Sequence, residues 1–118
     1  MSYIDGFVLA VPTANKEAFR ANAEKVDVLF KKHGALQVIE AWAEDVPTGK
    51  TTDFYKAVKA KDDESIVFSW IIWPDKAARV AGNEKVFADM QAMGEDAMQM
   101  PFDGKRMIYG GFDVLVEL

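Results

Sequence analysis

The sequence contains no cysteine and a single histidine among its 118 residues. Without cysteine, the chain forms no disulfide and offers neither a thiolate nucleophile nor a zinc–thiolate site. A single histidine also excludes a multi-histidine metal centre within one chain. These absences remove much of thiol and metal chemistry, and we expect no cofactor and no bound metal.

Basic residues are also scarce, since 14 Lys and Arg stand against 19 Asp and Glu and give a net charge of -5. Nucleic-acid binding needs a basic face that displaces counterions from phosphates. No apolar run approaches the roughly 18 residues that a membrane span requires. The opening MSYIDGFVLAVP lacks the basic region of a signal peptide. We therefore expect a cytoplasmic protein that binds neither nucleic acid nor membrane.

What the chain does contain is a regular succession of apolar runs and helical patterns over one domain, residues 1–118. Pro12 and Pro74 each end an apolar run and precede residues of the helix-capping type, so strand, proline and helix occur twice. Gly82 and Asn83 are expected to kink or split the second long helix. The predicted strands are residues 3–11, 36–44, 65–73 and 106–118. The first predicted helix follows Thr13 or Asn15 and ends at Gly34, a short second helix falls within residues 51–58, and the third runs from Asp75 to about Met93. The predicted inner face of the third helix is Ala77, Val80, Ala81, Phe87 and Met90.

This order is strand, helix, strand, followed by strand, helix, strand. Right-handed crossovers then place both long helices on one face of a four-stranded antiparallel sheet. The sequence therefore predicts an α+β protein with the ferredoxin-like βαββαβ plan.

Both faces of the predicted sheet are apolar. In the strand at residues 65–73, one face carries Ile66, Phe68, Trp70 and Ile72, and the other carries Val67, Ser69, Ile71 and Trp73. Helices cover only one face in this plan, and a soluble monomer rarely exposes an apolar patch of more than a few hundred Å². We therefore expect a homodimer in which the face without helices packs on a second copy, which gives a dimeric α+β barrel.

Two short features resemble functional motifs but have simpler interpretations. Gly49-Lys50-Thr51 is similar to the end of a phosphate-binding loop, but Glu44 stands where that motif needs glycine, so an ordinary loop is the better interpretation. His33 is a candidate general base. Its place before Gly34 at a predicted helix end is equally that of a cation that complements the helix dipole.

Carboxylates fall into two groups. Residues 62–64 are three consecutive acids, typical of a solvated connection. Asp5, Glu40 and Asp113 instead lie within apolar strands, where an unpaired charge is unfavourable. Each is either an ion-pair member or exposed strand end, or a ligand or acid–base group. The candidate partners on the last strand are Lys105, Arg106 and Tyr109.

Aromatic side chains could form the walls of a pocket or the anchors of the core and the interface. The candidates are Trp42, Trp70, Trp73, Phe54, Tyr55 and Tyr109. Methionines from Met90 to Met107 add a pliable, loop-rich surface.

The string MPFDGKRMIYGGF at residues 100–112, together with the opening SYIDGFVLAVPTANKEAF, resembles the YbaA-like bacterial family of unknown function. The resemblance runs nearly from end to end, and it implies a ferredoxin-like fold of the dimeric α+β barrel type. It implies no activity. It directs attention to Pro101, Phe102, Asp103, Gly104, Lys105, Arg106, Tyr109 and Gly110.

The sequence leaves three functions open. The first is a homodimer that binds a small, partly apolar molecule. Its polar floor would be Asp103, Lys105, Arg106 and Tyr109, with Glu40 also a candidate, and its walls Trp42, Trp70 or Phe54. The second is a cofactor-independent oxygenase or isomerase that uses Glu40 or His33 as its base. The third is a structural interaction module with no ligand.

Overall fold

The computed structural model describes residues 2–95 and 99–118, so the middle of the predicted methionine-rich loop lies outside the described residues. The strands are β1 (Tyr3–Pro12), β2 (Gln37–Trp42), β3 (Glu64–Trp73) and β4 (Ile108–Asp113), and the helices are α1 (Lys16–Lys32), α2 (Phe54–Ala57) and α3 (Lys76–Met93). Short 3-10 turns occupy Thr13–Asn15 and Gly104–Arg106.

The strands form one antiparallel sheet in the order β2-β3-β1-β4. Helices α1 and α3 lie on the same face, because Phe30 of α1 and Gly82 of α3 both pack against Trp73 of β3. This confirms the predicted βαββαβ plan and the α+β class. Among the described residues, no helix is long and apolar enough to cross a membrane.

The core lies between the sheet and the helices. Leu9 and Val11 of β1 and Val67 of β3 pack with Phe19 of α1 in one cluster, and Trp73 is completely buried. Strand residues of one parity therefore supply the helix-covered face, as the period-two pattern requires.

Helix ends follow the local chemistry in part. Asp53 and Asp75 cap α2 and α3 through backbone N–H groups three residues on, and Gly34 ends α1 with φ of 111°. Asn15 occupies the N-cap position of α1, as its residue type predicted, but its side chain makes no capping hydrogen bond. Its Nδ2 donates to the Pro101 carbonyl oxygen at 3.1 Å.

Helix α3 differs most from expectation. It is continuous through Gly82, and its buried residues are Gly82 and Val86, while Val80 and Phe87 of the predicted inner face are exposed. A Cβ on Gly82 would lie 2.3 Å from the Trp73 ring. The glycine therefore serves close helix–sheet packing and does not break the helix.

The last strand is shorter than predicted. Strand β4 begins only at Ile108, since Arg106 lies in the 3-10 turn, and it ends at Asp113, which pairs with Tyr3 at the start of β1. Beyond Asp113, the Val114 backbone N–H still donates to the Ser2 carbonyl oxygen at 3.3 Å. Strand β2 similarly spans Gln37–Trp42 and not the predicted residues 36–44.

The sheet face opposite α1 and α3, here called the open face, is apolar as predicted, and its end at Ala10 and Ile66 is covered by Tyr55 of α2 and by Val58. It forms a shallow depression of about 570 Å³. Phe112 at its rim is 61% exposed, and Phe68 and Ile108 are also exposed. The residues of the depression are Ile4, Gly6, Phe7, Val8, Phe68, Trp70, Ile108, Tyr109, Gly110 and Phe112.

Candidate functional site

A cleft of about 500 Å³ lies between α1 and β2, and we call it the α1–β2 cleft. Its aromatic wall is formed by Phe19 and Trp42, whose ring centroids are 6.3 Å apart. The Lys16 Nζ lies over the Trp42 ring, 5.5 Å from its centroid. The α1 stripe that faces the cleft includes Arg20, Glu24, Asp27 and Lys31 at helical spacing, so one helix face supplies both charges and apolar contacts.

Two carboxyl groups meet in this cleft. Glu40 lies on the helix-covered face of β2, and Asp27 of α1 lines the same cleft, close enough that each carboxyl group affects the pKa of the other. The register places Glu40 opposite Ser69 of β3, and the buried Ser69 Oγ donates to Glu40 Oε2 at 2.7 Å. We call Asp27 and Glu40 the carboxyl pair. Glu40 remains open to the cleft and is accessible to solvent.

The surroundings of the pair favour protonation. Burial is the largest cause that raises the pKa of Asp27 to about 8, and the charge and hydrogen bond of Glu40 add to it. Burial also raises the pKa of Glu40, although the hydrogen bonds from Ser69 and Asp27 act in the opposite direction. The pair therefore retains one proton near neutral pH, as two adjacent carboxyl groups commonly do.

The basic side chains of the cleft do not neutralise the pair. Arg20 Nε lies 3.2 Å from Glu17, and Lys31 Nζ donates to the Leu36 carbonyl oxygen at 2.9 Å. Within the described ranges, neither Asp27 nor Glu40 has an ion-pair partner closer than 4.0 Å. A carboxyl pair without a cation, facing an accessible cleft, is typical of a binding or acid–base site.

A smaller chamber of about 180 Å³ adjoins the pair beneath α1. It shares Asp27, Glu40 and Phe19 with the α1–β2 cleft and is otherwise mostly apolar. The carboxyl pair thus stands between an open cleft and an apolar interior. The apolar lining of the chamber is Phe7, Leu9, Ala23, Val26, Phe30, Ile71, Met90, Met100, Phe102 and Met107.

Of the residues singled out from the sequence, Glu40 and Trp42 lie in the α1–β2 cleft. Trp70 lies on the open face, whereas Tyr109 lies opposite Phe7 on the helix-covered side of β4, where it is 72% exposed and stacks on Phe7 at 6.3 Å. Phe54 packs edge-on against Phe68 at 6.0 Å. The structure therefore divides the predicted aromatic wall between the two faces of the sheet.

Arg106 belongs to an ion-pair network outside the α1–β2 cleft. Its guanidinium donates twice to Glu64, both at 2.7 Å, once to Asp103 at 3.0 Å and once to the Lys59 carbonyl oxygen at 2.9 Å. Arg106 is the main cause that lowers the pKa of Glu64 to about 2. Its donors are thus engaged by the protein, and the backbone N–H of Lys105 bonds Asp103 at 3.0 Å.

The same network corrects two sequence expectations. Glu64 is buried and paired, although the run at residues 62–64 was expected to be solvated throughout. The fold needs this carboxylate because it joins the start of β3 to the turn before β4. Asp103, Lys105, Arg106 and Tyr109 do not line the α1–β2 cleft, so the structure does not bring the predicted polar floor together with Glu40.

The other strand carboxylates have structural surroundings. Asp5 is buried and accepts hydrogen bonds from Trp73 Nε1 at 3.1 Å and from Asn83, and it pairs with Arg79 Nη2 at 2.9 Å. Its partners lie on β3 and α3, not on the last strand as expected. Asp113 lies exposed at the end of β4.

His33 and the Gly49 loop are also explained locally. His33 Nε2 and Asp89 Oδ2 are 2.7 Å apart, which joins the end of α1 to α3. The Gly49 backbone N–H donates to Asp53 at 2.9 Å within an ordinary turn.

Asp27 is the residue that sequence reasoning missed. Asp27 follows Phe19 and Ala23 at intervals of four residues. That spacing places all three on the same side of α1, and all three line the cleft. An acid at helical spacing from apolar residues of one helix face was the available signal.

The sheet order and the two long helices on one face define a ferredoxin-like α+β protein. Its fold is similar to that of a dimeric ferredoxin-like protein from an uncultured marine organism, with a TM-score of 0.63, 15% identity and full coverage of both chains. Residues 2–104 match the family described as protein of unknown function DUF1428, and the chain belongs to this family.

Relatives in this family share most of the sequence. The chain is 54% identical over 117 residues to the uncharacterized protein YbaA of Escherichia coli K12 and to that of Shigella flexneri, with 99% of each chain covered. The YbaA-like resemblance is therefore confirmed.

Proposed function

We propose that the protein binds a small organic acid with an apolar or aromatic body in the α1–β2 cleft. The observation that carries this proposal is the combination, in one cleft of about 500 Å³, of an aromatic wall, basic side chains and a carboxyl pair that keeps a proton. Small-molecule sites commonly combine an apolar lining with a few convergent polar groups.

The charges of the cleft favour an anionic ligand. Lys16, Arg20 and Lys31 line it, and the opposing charges are Glu24 and the single negative charge of the pair. The cleft is thus locally basic in a chain whose net charge is -5. A carboxylate at the rim would meet these cations, while its apolar body would lie along Phe19 and Trp42.

Thermal shift with three probes of one shape tests this proposal. We expect 3-phenylpropionate to raise the melting temperature more than the uncharged 3-phenylpropanol or the cationic phenethylamine, because only the first complements the rim. Lys16→Gln and Trp42→Leu should each reduce the shift, and Lys85→Gln on the exposed side of α3 is the matched control. A preference for the amine, or no shift with any probe, would contradict the proposal.

We also propose that the protein is a homodimer paired through the open face. The exposed apolar surface supports this, and so does the assembly of the ferredoxin-like neighbour, which is described as dimeric. A cytoplasmic location stays a prediction from composition.

Light scattering on a sizing column tests the pairing. The wild type should elute with twice the mass of the chain, and Phe112→Asp at the rim of the open face should elute as a monomer. Phe87 of α3 is similarly exposed, at 55%, but does not line the open face, so Phe87→Asp is the control that should stay dimeric. A monomeric wild type at micromolar concentration would overturn this part of the proposal.

A further inference from the structure

We propose that the carboxyl pair is an acid–base centre that interconverts the keto and enol forms of a 2-oxo acid. The inference rests on the proposed binding of an organic acid in the α1–β2 cleft, and it specifies the class of ligand and what happens to it. The geometry that supports it is two carboxyl groups, one on α1 and one on β2, that line both the α1–β2 cleft and the adjoining apolar chamber.

The reaction balances with the groups of the pair alone. Glu40, as carboxylate, removes a proton from the carbon next to the substrate carbonyl group. The electron pair of that C–H bond forms the C=C bond, and the carbonyl π electrons move to oxygen, which takes the proton held by Asp27. The product is the enol, and the proton has passed from Asp27 to Glu40 within the pair. The reverse reaction uses the same two groups and restores the proton to Asp27.

The positions of Glu40 and Asp27 suit their roles as base and acid. Glu40 stands on a strand, and Ser69, itself buried, holds one oxygen of its carboxylate at 2.7 Å while leaving the group open to the cleft. Asp27 stands on α1, a separate rigid element. Donor and acceptor therefore approach a bound substrate from the helix and from the sheet, as concerted acid–base catalysis requires.

The charged groups around the pair are compatible with these roles. Those that line the cleft are Lys16, Arg20, Glu24 and Lys31. None of these basic side chains forms an ion pair with the carboxyl pair. Because the pKa of Asp27 is raised to about 8, its proton is present at neutral pH. The same cations lie where the carboxylate of a 2-oxo acid would be held, and the adjoining chamber offers an apolar environment for its side chain.

Hydrogen exchange provides the test. Phenylpyruvate and 2-oxobutyrate are incubated in D₂O, and loss of the C3 proton signals is followed by NMR with and without protein. We expect the wild type to accelerate exchange. Glu40→Gln should lower the protein-dependent rate by about 100-fold or more, and Asp27→Asn by about tenfold or more. Glu84→Gln, an exposed acid-to-amide change on α3, is the matched control and should leave the rate unchanged.

Binding is measured on the same samples by saturation-transfer NMR, which separates two kinds of failure. If phenylpyruvate binds but exchange is no faster than in buffer, or Glu40→Gln exchanges as fast as the wild type, the acid–base inference is wrong and the binding proposal stands. If neither phenylpyruvate nor 3-phenylpropionate binds, both proposals fail. Thermal denaturation of each variant verifies that it is folded.

Discussion

Asp5 and Glu40 both project from the helix-covered face of the sheet, but their surroundings are opposite. Asp5 is 5% exposed and is bonded by Arg79, Trp73 and Asn83. Glu40 instead faces a second carboxyl group and an accessible cleft, and its hydroxyl donor Ser69 carries no charge. One fold thus contains a fully compensated carboxylate and an uncompensated pair.

This difference separates structure from candidate function. A buried charge with a cation and further donors is accounted for by folding alone. A carboxyl pair whose pKa values are raised mainly by burial is unfavourable for folding near neutral pH, because the native state must hold a proton that the unfolded chain releases. Such an arrangement at an accessible site is the more informative sign of binding or catalysis.

The largest effect should follow from removing the compensation at Asp5. Arg79→Ala leaves a buried carboxylate with only the weaker donors of Trp73 and Asn83, so we expect a loss of roughly 3–5 kcal/mol in the free energy of unfolding. Urea denaturation measures it. Arg79→Lys keeps the positive charge but loses the guanidinium group that bonds both carboxylate oxygens of Asp5. Its free energy of unfolding should therefore lie between those of the wild type and Arg79→Ala. A loss below about 1 kcal/mol for Arg79→Ala would show that Arg79 does not compensate the buried charge of Asp5.

Arg106→Ala should cause the next largest loss in the free energy of unfolding, smaller than that of Arg79→Ala because Glu64 still accepts from the Lys61 backbone N–H at 2.7 Å. The pKa of Glu64 is lowered from 4.5 to about 2, so its contribution to stability is present above pH 4.5 and is lost as the pH falls toward 2. Urea midpoints between pH 3 and 7 should therefore converge for wild type and variant at the acid end. If the urea midpoints of the wild type and Arg106→Ala differed as much at pH 3 as at pH 7, the contribution of Arg106 would not depend on the ionised Glu64.

The comparison also indicates what sequence reasoning can reach. Apolar runs, prolines and capping residues locate the strands and the two long helices, because these signals are local, and right-handed crossovers then give the βαββαβ plan. The partners of Asp5 are not local: Arg79 is 74 positions away, and only the packing of α3 on β3 joins them. Asp27 meets Glu40 in the same way, through the angle at which α1 crosses the sheet. The placement of α1 depends on packing contacts such as Phe30 against Trp73, which no period in the sequence encodes.

Asp27→Asn should have a smaller effect of opposite sign. In the wild type the pKa of Asp27 is raised from 3.8 to about 8, so the native state binds more protons and stability falls as the pH rises between these values. The amide removes this dependence and can donate to Glu40. We expect the variant to be more stable than the wild type at pH 8, by the order of 1 kcal/mol, and similar to it at pH 4. Melting temperatures in matched buffers test this, and a variant less stable at pH 8 would show that the pair is compensated after all.

The smallest effect on stability should come from Arg20→Gln. Unlike the partners of Asp5 and Glu64, Arg20 lines the α1–β2 cleft and forms only an exposed ion pair. Arg20 pairs with Glu17 at 3.2 Å, but the two side chains are 61% and 77% exposed. Exposed pairs of this kind contribute between about 0 and 1 kcal/mol, so urea denaturation should detect a change of no more than about 0.5 kcal/mol. Binding of 3-phenylpropionate should nevertheless weaken severalfold by calorimetry, because the rim loses a cation that the fold does not need. Lys85→Gln removes an equal charge away from the cleft and should leave the affinity unchanged. If the two variants weaken binding equally, the effect is one of net charge, and Arg20 has no specific part in the α1–β2 cleft.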